Sequence, residues 1–166
     1  MIWLVGMMGS GKSTVGAAVA AAGGFDHVDT DAAIEDRSGS TIARLFDTIG
    51  EPTFRLFESS VVKELSDRGG DVVVSTGGGV VLDEESVARM RSSGCVVWLS
   101  AATAELAGRV GSGQDRPLLG DDTEGALDEL LVRRAPLNRQ AAHHTVETAG
   151  REIDDIAREV LELCRG

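Results

Sequence analysis

Apolar runs too short for helices recur along the chain, separated by longer segments of helical period. Met1–Val5, residues 71–76 and residues 94–99 are β-branched or aromatic with little polar alternation, the pattern of strands buried on both faces. Residues 25–31, which follow Gly23-Gly24, and residues 143–148 read as two further strands. Between them, helices are predicted over 14–22, 40–49, 51–68, 83–92, 101–110, 121–141 and 153–164. Gly50 separates the second from the third, in which Phe54, Phe57, Val61, Val62 and Leu65 share one apolar stripe. A break or kink is expected at Ala135-Pro136. Strand and helix alternate from end to end without internal repeat or low-complexity linker, which predicts a single α/β domain over 1–166 with a parallel sheet.

The first strand runs into Gly6-Met7-Met8-Gly9-Ser10-Gly11-Lys12-Ser13, followed by Thr14 and an Ala-rich helix. This is G-x-x-x-x-G-K-[ST] between a strand and a helix, the phosphate-binding arrangement. Small residues at Gly9, Ser10 and Gly11 let backbone N–H groups turn in on a polyphosphate, and the helix N-terminus adds unsatisfied donors. Lys12 then reaches the β- and γ-phosphates, and Ser13 offers an oxygen to Mg²⁺. An ordinary glycine turn would explain the glycines but not the lysine and hydroxyl in register.

Composition alters this little: 42% hydrophobic and 26% charged residues suit a soluble globular protein. The net charge of −11 alters it more, because it opposes nucleic acid and anionic membranes as partners while leaving room for a local basic pocket. No apolar run approaches the roughly 20 residues of a membrane span, and Met1–Val5 is too short for a secretory signal, so a cytoplasmic protein is expected; a monomer is expected besides. Cys95 lies in an apolar run and Cys164 near the end; they are read as a buried small residue and a tail residue, not a disulfide framework or metal cluster. His143 and His144, adjacent on a strand, would point to opposite faces and form no joint metal site.

Asp29 and Asp31 end a strand, and in an open α/β sheet that end lines the ligand crevice, which makes both candidates for work on a metal or a hydroxyl. Asp31 also precedes a helix and could cap it. Arg55 and Glu58, at i and i+3, form either an exposed ion pair or a guanidinium aimed at an anionic substrate. Gly77-Gly78-Gly79 ends a buried strand and admits a ligand to bare backbone N–H groups. That strand lacks a terminal aspartate, so a metal carboxylate must come from Asp29. Glycine-flanked residues 111–120 form a candidate mobile lid, in which Arg116 could close over a phosphoryl group.

Taken together, GMMGSGKST, DTD, FRLFE, STGGG, RPLL and RRAPL, in this order over nearly the whole chain, resemble shikimate kinase. The resemblance implies a P-loop NTPase fold like that of nucleoside monophosphate kinases, a five-stranded parallel sheet flanked by helices with a mobile lid at about 111–122. It implies ATP- and Mg²⁺-dependent phosphorylation of the 3-hydroxyl of shikimate, on the way to chorismate and aromatic amino acids. By position, Lys12 resembles the lysine on the transferring phosphate, Ser13 the Mg²⁺ ligand, and Asp29 a residue orienting the metal through water. Asp31 resembles the group that binds the ring hydroxyls and accepts the 3-hydroxyl proton. Arg55 and Arg134 resemble the clamps on the shikimate carboxylate, helped by Gly77, Gly78 and Gly79. Arg116 resembles the lid arginine and Arg109 the residue that stacks on adenine. The sequence departs from the pattern at Asn138, where the family often has tyrosine, and matches the adenine-binding end loosely at 148–151. Alternatives sharing the P-loop are a kinase of another hydroxy acid such as gluconate, an inactive kinase-like interaction module, and a GTPase. The first has no need of DTD, Arg55 and the triple glycine together; the second is opposed by Lys12, Asp31 and Arg116; the third lacks its N-K-x-D signature.

Overall fold

The structure, a computed structural model, describes residues 1–110 and 123–165, without the side chains of residues 109, 110, 123 and 124. The chain runs β1 (Ile2–Val5), α1 (Lys12–Gly23), β2 (Asp26–Asp29), α2 (Thr30–Ser38), α3 (Ile42–Arg68), β3 (Val72–Ser75) and a 3-10 turn at Val80–Leu82. It continues through α4 (Glu84–Ser93), β4 (Cys95–Ser100), α5 (Thr103–Val110), α6 (Thr123–Ala141), β5 (His144–Glu147) and α7 (Ile153–Cys164). The strands pair in parallel in the order β2-β3-β1-β4-β5, with Trp3 opposite both Val74 and Val96. The phosphate-binding loop therefore leaves the central strand, and the carboxyl ends of β2 and β3 open beside it.

Successive side chains of a strand point to opposite faces. On one face Trp3, Val5, Val74, Val96 and Trp98 pack against Ile34, Phe54, Val62 and Met90 of α2, α3 and α4. On the other, Ile2, Leu4, Val73, Val97 and Leu99 pack against Val15 and Val19 of α1 and Ile156 and Val160 of α7. Both faces are covered by helices, which explains why the strands read as continuous apolar runs.

Gly50 interrupts α3 with φ 75° and ψ 162°, as its position between two predicted helices requires. The break expected at Ala135-Pro136 does not occur: α6 continues through Pro136. Pro136 and Val132 are both exposed, so water can satisfy the Val132 carbonyl that loses its donor. The cysteines also require correction, because Cys95 and Cys164 are joined in a disulfide with their Cα atoms 5.6 Å apart. β4 begins where α7 ends, a proximity across 69 residues that spacing along the chain does not reveal. Residues 111–122, expected to form the lid and carrying Arg116, lie outside the described residues, as does the side chain of Arg109. Among the described residues no helix is long and apolar enough to cross a membrane.

Candidate active site

At Gly6 the chain turns from β1 into the loop with φ 146°, and an added Cβ would lie 2.6 Å from the Leu99 carbonyl oxygen, so glycine is required. Gly11, in the left-handed region at φ 87°, starts α1. Lys12 is buried, and its ammonium donates to the carbonyls of Gly6 at 3.0 Å and Met7 at 2.8 Å, bridging the loop instead of extending into water. Ser10 is also buried, with no partner for its hydroxyl among the described residues.

Ser13 Oγ donates to Asp29 Oδ2 at 2.5 Å. The other Asp29 oxygen accepts the N–H groups of Asp31 and Ala32, at 3.0 and 3.3 Å, and so caps α2. The capping role considered for Asp31 thus belongs to Asp29. Met8, Gly9, Gly11, Lys12, Ser13, Thr14, Asp29, Asp31, Thr76 and Gly78 line a cavity of about 360 Å³. Ser13 and Asp29 bring two hard oxygens together at its wall, a donor pair that fits Mg²⁺, which takes few ligands from protein and the rest from phosphate and water.

A second cavity, about 330 Å³, shares Met8, Ser13, Asp29, Asp31 and Gly78 with the first. At its far side lies Arg55, held by charge-assisted bonds to Glu58 at 2.7 Å and Glu51 at 2.9 Å. The guanidinium carbon lies 5.7 and 5.4 Å from the ring centres of Phe46 and Phe54, which pack together across the Gly50 break. Glu58 is only 3% exposed, which excludes the reading of an exposed surface pair. Burial pushes its carboxyl above the usual glutamate range, Arg55 pulls it down, and nearby Asp31 pushes it up again. Its Oε1 has no hydrogen-bond partner among the described residues.

Arg134, 4% exposed on α6, donates to the Gly78 carbonyl at 3.1 Å. Among the described residues no carboxylate lies within ion-pair distance of it. Burial, and then the neighbouring Arg55 charge, hold its pKa below the ordinary arginine value. One guanidinium is therefore paired with two carboxylates, whereas the other, among the described residues, donates to a carbonyl.

The triple glycine fits closely between these groups. Thr30 Oγ1 accepts the Gly77 N–H at 3.0 Å, and a Cβ at Gly79 would overlap the Arg55 guanidinium. The structure thus brings Lys12, Ser13, Asp29, Asp31, Arg55, Arg134 and Gly77 to Gly79 around two joined chambers. Sequence reasoning missed Met8, Glu35, Ile42, Phe46, Glu51 and Thr76 near these residues, and it counted Phe54 only as core. The signal that could have found Phe46 was the Gly50 break, which allows residues on either side to meet.

The family model described as "Shikimate kinase" matches residues 8–165. A shikimate kinase of Halorhodospira halophila is 43% identical over 166 residues, covering 99% of this chain and 93% of that protein. A solved structure of shikimate kinase from Acinetobacter baumannii in complex with shikimate is 37% identical with a TM-score of 0.94, covering 98% of this chain and 90% of that one. A gluconokinase from Sinorhizobium meliloti, 19% identical with a TM-score of 0.58 and covering 99% of this chain and 90% of that one, shares the fold alone.

Proposed function

The chain belongs to the shikimate kinase family, and on that premise we propose how its residues divide the work of phosphorylating shikimate. The P-loop NTPase fold and kinase activity come with the family; ATP as donor, Mg²⁺ as its metal and the 3-hydroxyl as acceptor are this reading's additions. The observation that carries it is the sharing of Asp31 and Gly78 by both chambers, which supports a carboxylate standing between an acid bound at Arg55 and Arg134 and a phosphate bound at the P-loop.

In this reading Gly9, Ser10, Gly11, Lys12, Ser13 and Thr14 bind the ATP phosphates, Arg109 stacks on adenine, and Arg116 closes over the transferring group. Lys12, released from the Gly6 and Met7 carbonyls, neutralises charge that develops on the γ-phosphoryl. Ser13 and, through water, Asp29 would hold Mg²⁺, which would supply neutralisation of phosphate charge. Arg55 and Arg134 grip the shikimate carboxylate, Gly77 to Gly79 line the ring, and Asp31 accepts the proton of the attacking hydroxyl. We place this monomer, a single kinase domain, in the cytoplasm, with neither nucleic acid nor membrane as partner.

A coupled ADP-release assay with shikimate, gluconate and other hydroxy acids tests the reading. ADP release must require ATP, Mg²⁺ and shikimate together. Equal turnover with gluconate overturns the assignment of the arginine chamber to a cyclic carboxylate.

A further inference from the structure

Beneath the P-loop, on the side of α1 that faces the sheet, three elements meet through a polar chain that the reaction scheme does not use. Ser75, the buried last residue of β3, donates from Oγ to the Lys12 carbonyl at 2.8 Å. His27 Nε2 of β2 lies 2.9 Å from the same hydroxyl. A serine has one proton and a carbonyl only accepts, so the donor between His27 and Ser75 is the imidazole, which must carry its proton on Nε2. Gly16, one turn beyond Lys12, sits directly on this pair: a Cβ there would overlap Ser75 Oγ and lie 2.6 Å from His27 Nε2. The close approach of α1 to the two side chains is therefore built into the packing.

The anchored carbonyl belongs to the peptide joining Lys12 to Ser13. In a planar trans peptide the C=O and N–H point in opposite directions. Holding the Lys12 carbonyl down on Ser75 aims the Ser13 N–H back toward the loop mouth, and it fixes the first turn that carries both the lysine and the hydroxyl of Ser13. Neither His27 nor Ser75 lines the arginine chamber.

We propose that His27 and Ser75 are positioning residues for the nucleotide, setting the Lys12–Ser13 peptide so that its donors meet the phosphates. The proposal rests on the reading of Lys12 and Ser13 as phosphate ligands. Removing one neutral hydrogen bond from such a chain changes an equilibrium by about 2- to 13-fold. Ser75→Ala and His27→Leu should therefore raise the ATP KM, and the Kd for ATP measured calorimetrically with and without Mg²⁺, by about 3- to 10-fold. The shikimate KM should stay within about twofold. His27→Gln keeps an N–H donor at similar reach and should restore most of the ATP affinity. Ser75→Ala combined with His27→Leu should lose no more than Ser75→Ala alone, because His27 acts through the serine. Thermal melting of each variant confirms that folded protein is being compared, and the part-exposed His27 offers a test even if Ser75→Ala does not fold.

A Gln variant no better than Leu, additive losses in the double variant, or equal rises in both KM values would overturn the positioning role. Lys12→Ala run alongside separates this from the premise. If that variant keeps full ATP affinity and turnover, the phosphate-ligand reading fails; if it loses them while His27 and Ser75 variants behave as wild type, only the positioning role fails.

Discussion

One continuous run, residues 6–14, supplies most of the nucleotide chamber, largely through backbone and small side chains. The adjoining chamber draws side chains from α2, α3 and α6 together with the triple glycine. In the first, the Lys12 ammonium is engaged by carbonyls of its own loop. In the second, Arg55 is committed to Glu51 and Glu58 before any ligand arrives, while Arg134 has, among the described residues, only a carbonyl. The difference teaches that a phosphate site can be made locally by a chain that bends on glycine, whereas this second site gathers its two arginines from distant segments and fixes each where it stands, Arg55 by Glu51 and Glu58 of its own helix and Arg134 by the Gly78 carbonyl.

The largest expected effect comes from the local chamber. Lys12→Ala should reduce kcat by at least about 10³-fold, the upper range for removing a single pre-organised donor to transition-state charge. The buried Gly6 and Met7 carbonyls each lose a donor, which should lower the melting temperature by roughly a few degrees without unfolding the protein. Steady-state kinetics on the folded variant check this, and turnover within tenfold of wild type would remove Lys12 from the chemistry. At the junction of the chambers, Asp31→Asn should lower kcat by about 10²-fold or more with ATP KM nearly unchanged, since an amide keeps a hydrogen bond but accepts no proton. Retention of turnover within threefold would mean that water or phosphate takes the proton.

The distributed chamber should respond through binding. Arg134→Lys and Arg55→Lys keep charge but lose the two-pronged geometry, and each should raise shikimate KM about tenfold or more while leaving ATP KM within about twofold. Gly79→Ala sharpens the comparison, because it changes no charge. Its backbone, at φ −102°, accepts alanine without strain, but the new Cβ must displace the Arg55 guanidinium from between Glu51, Glu58 and the two phenylalanines. A severalfold rise in shikimate KM alone is expected. A matching rise in ATP KM would show that the two chambers are not separable.

Legibility followed the same division. The P-loop could be read from contiguous residues, since the chemistry of G-x-x-x-x-G-K-[ST] depends on spacing along one strand–loop–helix. All five strands and the Gly50 break were readable too, because buried parallel strands and a mid-helix glycine leave local marks. Arg55 with Arg134 was not readable from spacing: 79 residues separate them along the chain, and only the resemblance paired them before the fold did. Cys95 bonded to Cys164 was hidden for the same reason, being a contact made by the packing of elements, whereas Phe46 beside Phe54 follows from the Gly50 break that lies between them. At Pro136 the helix is unbroken, an outcome that depends on which carbonyl faces water and so is not written in the local sequence.

The smallest effect, and the one that isolates the cost of assembling the distributed chamber, is expected from Glu58→Gln. Burial raises the Glu58 pKa above its ordinary 4.5, and Asp31 adds to the rise against the pull of Arg55 and Arg134. For an acid so shifted, the folded state binds the proton more tightly than the unfolded chain. Its contribution to stability is fully present below about pH 4.5 and is lost as pH rises through the folded-state pKa. The amide carries no such charge, and Arg55 keeps Glu51 as its partner, so the variant should gain on wild type in melting temperature as pH increases from about 4.5 toward neutrality. At neutral pH it should be at least as stable, yet its shikimate KM should be a few-fold higher, because a neutral acceptor holds the Arg55 Nη1 donor less firmly than a carboxylate does. Melting curves of both proteins across pH 4 to 8, read beside KM, decide the matter. If the variant instead loses stability most at neutral pH, ionised Glu58 stabilises the fold, and the arginine chamber does not carry the cost that separates it from the P-loop.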